Sequence, residues 1–231
     1  MILSIVIPVH NEEENILSVI AQIEETIGFD HELVVVNDHS TDKSAELLKD
    51  ACAQYKNIKV VSNSQEQGFA NALKTGFNNI STDIVVPVMG DLCDDLSTIK
   101  EMAAKIALGF DVVCGCRYIK GGARIGGSPL KGLLSRWGGR SLSRLLGVPT
   151  QDIANAFKMY RKQVLEAIKI ESKGFEVSME LPLKAYFLGF KITEVPTVWR
   201  ERVRGKSSFN IFKLLPSYIK LYIWAIFKRL T

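Results

Sequence analysis

The 231-residue sequence has no uninterrupted apolar run of membrane-spanning length, no cysteines at C-x-x-C spacing, no Walker loop and no glycines at dinucleotide-binding spacing. Each absence removes a class. A membrane-spanning helix needs about 20 consecutive apolar residues, and the most apolar stretch, 209–230, is broken by Lys213, Lys220 and Lys228. The missing phosphate loops argue against an ATPase or a dehydrogenase. Four cysteines without metal or redox spacing (Cys52, Cys93, Cys114, Cys116) fit a reduced, cytoplasmic setting. His10, His31 and His39 are too scattered to form a metal cluster. The first residues read directly as a strand, with no charged-then-apolar leader, so export is not expected. There is no internal repeat and no low-complexity tract.

Acid is also missing where base is plentiful. From Arg117 to Gln151 there are seven basic residues and no Asp or Glu, within a chain whose net charge is only +4. That strip implies an anionic partner, although nucleic acid is not expected. With 47% hydrophobic and 23% charged residues, the chain can bury one substantial core.

What is present is an α/β pattern. Apolar runs 3–9, 33–36, 58–63, 84–89 and 111–116 read as strands buried on both faces. They alternate with helices predicted over 13–27, 43–55, 68–78 and 96–108, Ser40 being placed to cap the second. Beyond 116 the chain turns glycine- and arginine-rich. Helix is expected over 132–146, strand over 156–160, helix over 177–188, and strand over 191–198. In 209–230 the lysines share one side with Ser217 while Ile219, Tyr222, Ile223 and Phe227 cover the rest, a pattern suited to lying in a membrane surface. Pro216 is placed to split that segment.

Two strands end in polar, acidic loops: Pro8-Val9-His10-Asn11-Glu12 and Val36-Asn37-Asp38-His39-Ser40. Open α/β sheets bind ligands beyond the carboxyl ends of their strands. Pro8, His10, Asn11, Glu12, Val36 and Asp38 are therefore candidates to hold a nucleotide, with Asp38 bonding base or ribose. Asp91 follows another buried strand and could hold Mg2+ or Mn2+ through hard oxygen ligation. Asp94 and Asp95 either assist it or cap the next helix. Arg117 sits at a strand end within reach of phosphates. Lys131, Arg136 and Arg140 are candidates for an acceptor phosphate, Arg136, Arg140 and Arg144 recurring along one helix face.

Together these residues resemble the family-2 inverting glycosyltransferases of GT-A fold, especially the branch making polyprenyl-phosphate (dolichol-phosphate) sugars. Pro8-Val9-His10-Asn11-Glu12 resembles its P-x-Y-N-E, and Asn37-Asp38-His39-Ser40-Thr41-Asp42 its D-D-x-S-x-D. Gly115-Cys116-Arg117-Tyr118 is similar to G-S-R-Y, and Asp152-Ile153-Ala154-Asn155-Ala156-Phe157 to D-x-x-S-G-F. Glu194-Val195-Pro196, Arg202 and Gly205-Lys206-Ser207-Ser208 are similar to E-V-P and E-R-x-x-G-x-S-K. The family's D-x-D reads Met89-Gly90-Asp91, one carboxylate short.

The resemblance implies a Rossmann-like nucleotide-diphospho-sugar transferase with a mostly parallel central sheet. Residues 1–208 would form the catalytic domain and 209–231 an amphipathic tail at the membrane. It also implies a UDP- or GDP-sugar donor, Mg2+ or Mn2+ at Asp91, and Arg117, Arg202 and Lys206 on the phosphates. The expected acceptor is a polyprenyl phosphate on the cytoplasmic membrane face. A saccharide acceptor would instead need a carboxylate base, for which Asp152, Glu176 and Glu180 are candidates. A silent nucleotide-sugar-binding relative is a third reading, and a membrane-protein partner or homo-oligomer is left open.

Overall fold

The computed structural model describes residues 2–202 and 211–230. Alternation along the strands builds its layers. In β1 (Leu3–Val9), Ile5, Ile7 and Val9 face one core while Val6 faces another; in β2 (His31–Asn37), Leu33 and Val35 take the first side and Val34 and Val36 the second. Neither set reaches water, as continuous apolar runs predict.

The first core is closed by α1 (Ile16–Thr26), α2 (Ser44–Gln54) and α4 (Thr98–Ala107). The second lies under α3 (Phe69–Phe77), α6 (Lys162–Ala167) and α7 (Val177–Phe187). Helix α3 comes very close to the sheet at Gly76, where a Cβ would lie 2.3 Å from the Val6 side chain. Between these layers, β3 (Ile58–Ser62), β4 (Ile84–Pro87), β5 (Val112–Cys116), β7 (Lys158–Arg161) and β8 (Ile192–Pro196) complete a seven-stranded sheet in the order β3-β2-β1-β4-β7-β5-β8. Only β7 runs antiparallel to its neighbours.

The structure departs from the sequence reading at several points. The run expected as one strand over 191–198 divides into β8 and β9 (Val198–Arg200), and β9 pairs with an unforeseen β6 (Ala123–Ile125) in a small parallel ribbon. Helix α5 (Pro129–Leu146) begins three residues earlier than expected, because Ser128 caps it and Pro129 suits its first turn. Ser40 does not cap α2; its hydroxyl accepts from the Asn11 backbone nitrogen instead. Pro216 lies inside an unbroken α8 (Ile211–Leu230) rather than splitting it. Helix α8 joins a third core cluster with α5 and α7 through Tyr222, Trp224 and Ala225. Among the described residues, no helix is long and apolar enough to cross a membrane.

Candidate active site

The loops after β1, β2 and β4 meet at the carboxyl edge of the sheet. Asn11, at φ +54°, turns its side-chain oxygen onto the backbone nitrogen of Thr41 at 2.8 Å, and Ser44 Oγ accepts from the Glu12 nitrogen at 2.9 Å. The Glu13 nitrogen donates to Asp42 Oδ2, and the Lys43 nitrogen to Glu13 Oε2, across the same seam. His10 Nδ1 lies 2.7 Å from the Asp38 carbonyl, which can only accept, so this ring nitrogen carries the proton. Its Nε2 then faces the Gln67 amide at 3.0 Å. Asp38 is buried, one oxygen accepting from Asn63 Nδ2 at 2.7 Å and the other from the Gly68 nitrogen at 3.0 Å. It therefore orders the 67–68 turn. Val36 is fully buried in the second core, so its side chain is closed to any ligand, contrary to the sequence expectation. Gln67 was missed altogether, since a glutamine in a turn carries no sequence signal.

Across the crevice, Arg202 spans two carboxylates. Its Nη2 donates to Glu12 Oε1 at 2.9 Å and to Asp91 Oδ2 at 2.8 Å. Burial depresses the Arg202 pKa, but Asp91 and Glu12 outweigh it and raise it overall. Burial raises the Glu12 carboxyl despite its bonds to Asn15 and Arg202. Burial, with the charge of Asp91 beside it, pushes Asp94 up to about 7. Asp95 accepts from the Ser97 nitrogen and hydroxyl just ahead of α4, and Asp94 lines the cavity. Glu12 and Asp91 share one cation and are hard oxygen donors, which fits Mg2+ or Mn2+. Met89 adds no ligand, and no cluster of three metal-binding side chains occurs among the described residues.

The adjoining cavity measures about 420 Å³ and holds four cations, Arg117, Arg124, Lys131 and Arg202. Arg117 is fixed by Asp152, a fully buried carboxylate that accepts from its Nε at 2.7 Å, its Nη2 at 2.7 Å and its backbone nitrogen at 3.0 Å. Arg117 Nη2 also donates to Ser135. Lys131, Ser135 and Gly138 turn α5 toward the cavity, and Gly139 seats the helix on the 150–152 loop, where a Cβ would lie 2.2 Å from the Gln151 carbonyl. The stripe expected to bind phosphate, Arg136 and Arg140, lies one position round the helix. Arg136 is exposed away from the cavity and Arg140 bonds Gln151.

The three proposed bases all lie outside the cavity wall. Asp152 is committed to Arg117. Glu176 accepts from the Lys173 and Gly174 nitrogens. Glu180 accepts from the Glu171 and Ser172 nitrogens and pairs with Lys184 at 2.6 Å. Burial raises the Glu180 carboxyl, yet these bonds outweigh it and hold it below the usual range. The carboxylates that do line the cavity are Asp91, Asp94 and Glu201. Lys206 falls outside the described residues.

Sequence reading also missed Lys158, which is fully buried and donates to the carbonyls of Ile153 at 2.9 Å, Ser178 at 3.0 Å and Asn155. It ties two walls of the cavity together, and burial lowers its pKa to about 8.

Residues 4–169 match the profile of glycosyl transferase family 2. The chain is 30% identical over 231 residues to the dolichol-phosphate mannosyltransferase of Pyrococcus furiosus, covering 97% of this chain and 64% of that protein. It is 27% identical over 234 residues to the polyprenol monophosphomannose synthase of Mycolicibacterium smegmatis, covering 98% and 88%. The chain thus spans less than two thirds of the Pyrococcus protein. Its fold is that of glucosyl-3-phosphoglycerate synthase from Mycobacterium tuberculosis, solved with Mn2+, UDP-glucose and phosphoglyceric acid. That match has a TM-score of 0.71 at 21% identity and covers 98% of this chain and 79% of the other.

Proposed function

The chain belongs to glycosyl transferase family 2, and from that premise we propose that it moves a sugar, with inversion, from a UDP- or GDP-sugar to a polyprenyl phosphate. The observation that carries this reading is the cavity's charge. Four cations line it, while Asp152, Glu176 and Glu180 spend their oxygens elsewhere. A hydroxyl acceptor must lose a proton during attack; a phosphate is already ionised and needs orientation.

In this reading Pro8, His10, Asn11 and the Asp38–Gly68 turn hold the nucleoside, and Asp91 with Glu12 would hold Mg2+ or Mn2+. The cation supplies charge neutralisation at the leaving diphosphate. Arg202 contributes positive charge at the same point. Arg117, Lys131 and Ser135 orient the acceptor phosphate for in-line attack from the far side of the anomeric carbon. Residues 1–208 act as the catalytic domain, and 209–231 rests on the cytoplasmic membrane face. Exposed Leu133 and Trp137 on α5 and Ile223 and Phe227 on α8 support that placement.

Transfer to a saccharide hydroxyl is favoured by one feature, the Asp94 carboxyl near 7 in the cavity wall, which is suited to taking a proton. The donor half is tested by melting the purified protein with UDP-, GDP- and dTDP-sugars, with and without Mn2+. A metal-dependent rise with one donor, lost in Asp91→Ala, supports the reading. No rise with any nucleotide refutes the donor site.

A further inference from the structure

Three cavity residues have no part in transfer to the phosphate acceptor, and they lie together. Asp94 forms an isolated antiparallel bridge with Trp199, and the Arg200 nitrogen donates to the Cys93 carbonyl at 2.9 Å, so the Asp91 loop and β9 move as one piece. Trp199 is held by Arg124, its cross-strand neighbour in the β6–β9 ribbon, whose guanidinium lies over the indole at 5.0 Å. Glu201 is fixed by the turn after β6, where Gly126 and Gly127 have φ of +80° and +72° and the Gly127 nitrogen donates to its Oε2 at 2.8 Å. Its other oxygen has no hydrogen-bond partner among the described residues. Asp94 accepts a single long bond, 3.5 Å from the Met89 nitrogen. All three line the cavity beside Asp91 and Arg202.

We propose that Asp94, Trp199 and Glu201 form the pocket for the transferred sugar and select a neutral, hydroxyl-rich hexose over a uronic acid. The inference rests on the donor reading above, because it places the sugar one step past the diphosphate at Asp91. Two carboxyl groups converging on a cavity can take hydrogen bonds from sugar hydroxyls. An indole beside them offers an apolar face to the sugar's C–H surface. A uronate would set a third carboxyl group against these two, with the Arg124 guanidinium already lying over Trp199 and donating to the Ser128 carbonyl. Cavity sites gain specificity from a few placed polar groups of this kind.

The test is calorimetric titration of the full chain, with Mn2+, by UDP, GDP, UDP-glucose, GDP-mannose and UDP-glucuronic acid. Asp94→Asn and Glu201→Gln should each weaken the hexose donor about tenfold, the worth of one strong hydrogen bond, Trp199→Leu should weaken it by about as much through lost ring contact, and all three should leave the bare diphosphate unchanged. Glu201→Gln should also narrow the preference for UDP-glucose over UDP-glucuronic acid. Equal loss for donor and bare diphosphate, or no loss for the donor, overturns the pocket. If Asp94→Asn does not fold, Glu201→Gln, whose side chain is exposed at the cavity mouth, decides alone. A wild-type protein that binds no nucleotide refutes the donor reading and this inference with it. One that binds donors normally while all three substitutions are silent refutes the pocket alone.

Discussion

Replacing Asp152 with asparagine removes the carboxylate beneath the cavity without changing its size. Asp152 is wholly inaccessible and the Arg117 side chain is 11% exposed, so the guanidinium would keep its charge and lose its counter-ion. The asparagine amide would also turn hydrogen donors toward an arginine that can only donate. Breaking a buried pair by removing one partner costs about 3–5 kcal/mol, and a domain of this size loses about 2–4 °C per kcal/mol. Asp152→Asn should therefore melt roughly 10 °C or more below the wild type. Arg117→Met should cost a comparable amount, since it strands the carboxylate. The double variant, which buries neither charge alone, should fall short of the sum by about 2 kcal/mol, near the upper end seen for contacting pairs. Urea or thermal unfolding at neutral pH measures all three. Additive losses, or a fall of about 2 °C or less in Asp152→Asn, would show that the fork does not hold Arg117 in place.

Gly139→Ala should destabilise by about 1–3 kcal/mol, because its Cβ meets the Gln151 carbonyl. Gly138→Ala, with open space at its Cβ, should be neutral or gain up to about 1 kcal/mol by helix propensity; thermal melts read both. Glu176→Gln and Glu180→Gln should lower the melting temperature yet leave turnover within about threefold, and a loss of turnover on the scale of general-base catalysis, about 100-fold, would make that residue a base. Asp94 binds its proton more tightly folded than unfolded, so the stability it contributes is full below about 4 and lost as pH rises through about 7. Asp94→Asn should thus gain stability relative to wild type across that interval, and parallel pH–stability curves would contradict the assignment. Ile223→Glu with Phe227→Glu should reduce sedimentation with anionic vesicles, and unchanged binding would remove α8 from the membrane contact.

Much of this fold is readable from pattern because β1, β2 and β5 each hold a run of apolar residues buried on both faces, with the polar residues of β1 and β2, Ser4, His31, Glu32 and Asn37, at or next to the strand ends. The ribbon β6–β9 escaped notice because three-residue strands have too few positions for a period, and Pro196-Thr197 gives no strong break. The loops after β1 and β2 stood out because their polar, acidic residues follow directly on buried apolar strands. The surroundings of Asp152, Glu176 and Glu180 were less legible. A glutamate such as Glu180 looks the same in sequence whether it faces a cavity or accepts backbone bonds from a loop. Arg136 and Arg140 form a regular stripe, but Gly138 and Gly139 set which side of α5 faces inward, and that is decided by how close the 150–152 loop comes. Lys158 is legible only in three dimensions, where carbonyls from 153–155 and from Ser178 converge on one buried ammonium; Arg202 carried a motif signal, but the two carboxylates it spans come from distant segments.

The central claim is tested most directly by incubating the protein with Mn2+, a radiolabelled form of the nucleotide-sugar that raises its melting temperature, and a polyprenyl phosphate, then partitioning the products. The account predicts label in the organic phase as a sugar joined to lipid phosphate, lost in Asp91→Asn and strongly reduced in Arg202→Lys. Label that stays in water with polyprenyl phosphate and moves instead to an oligosaccharide acceptor would contradict it.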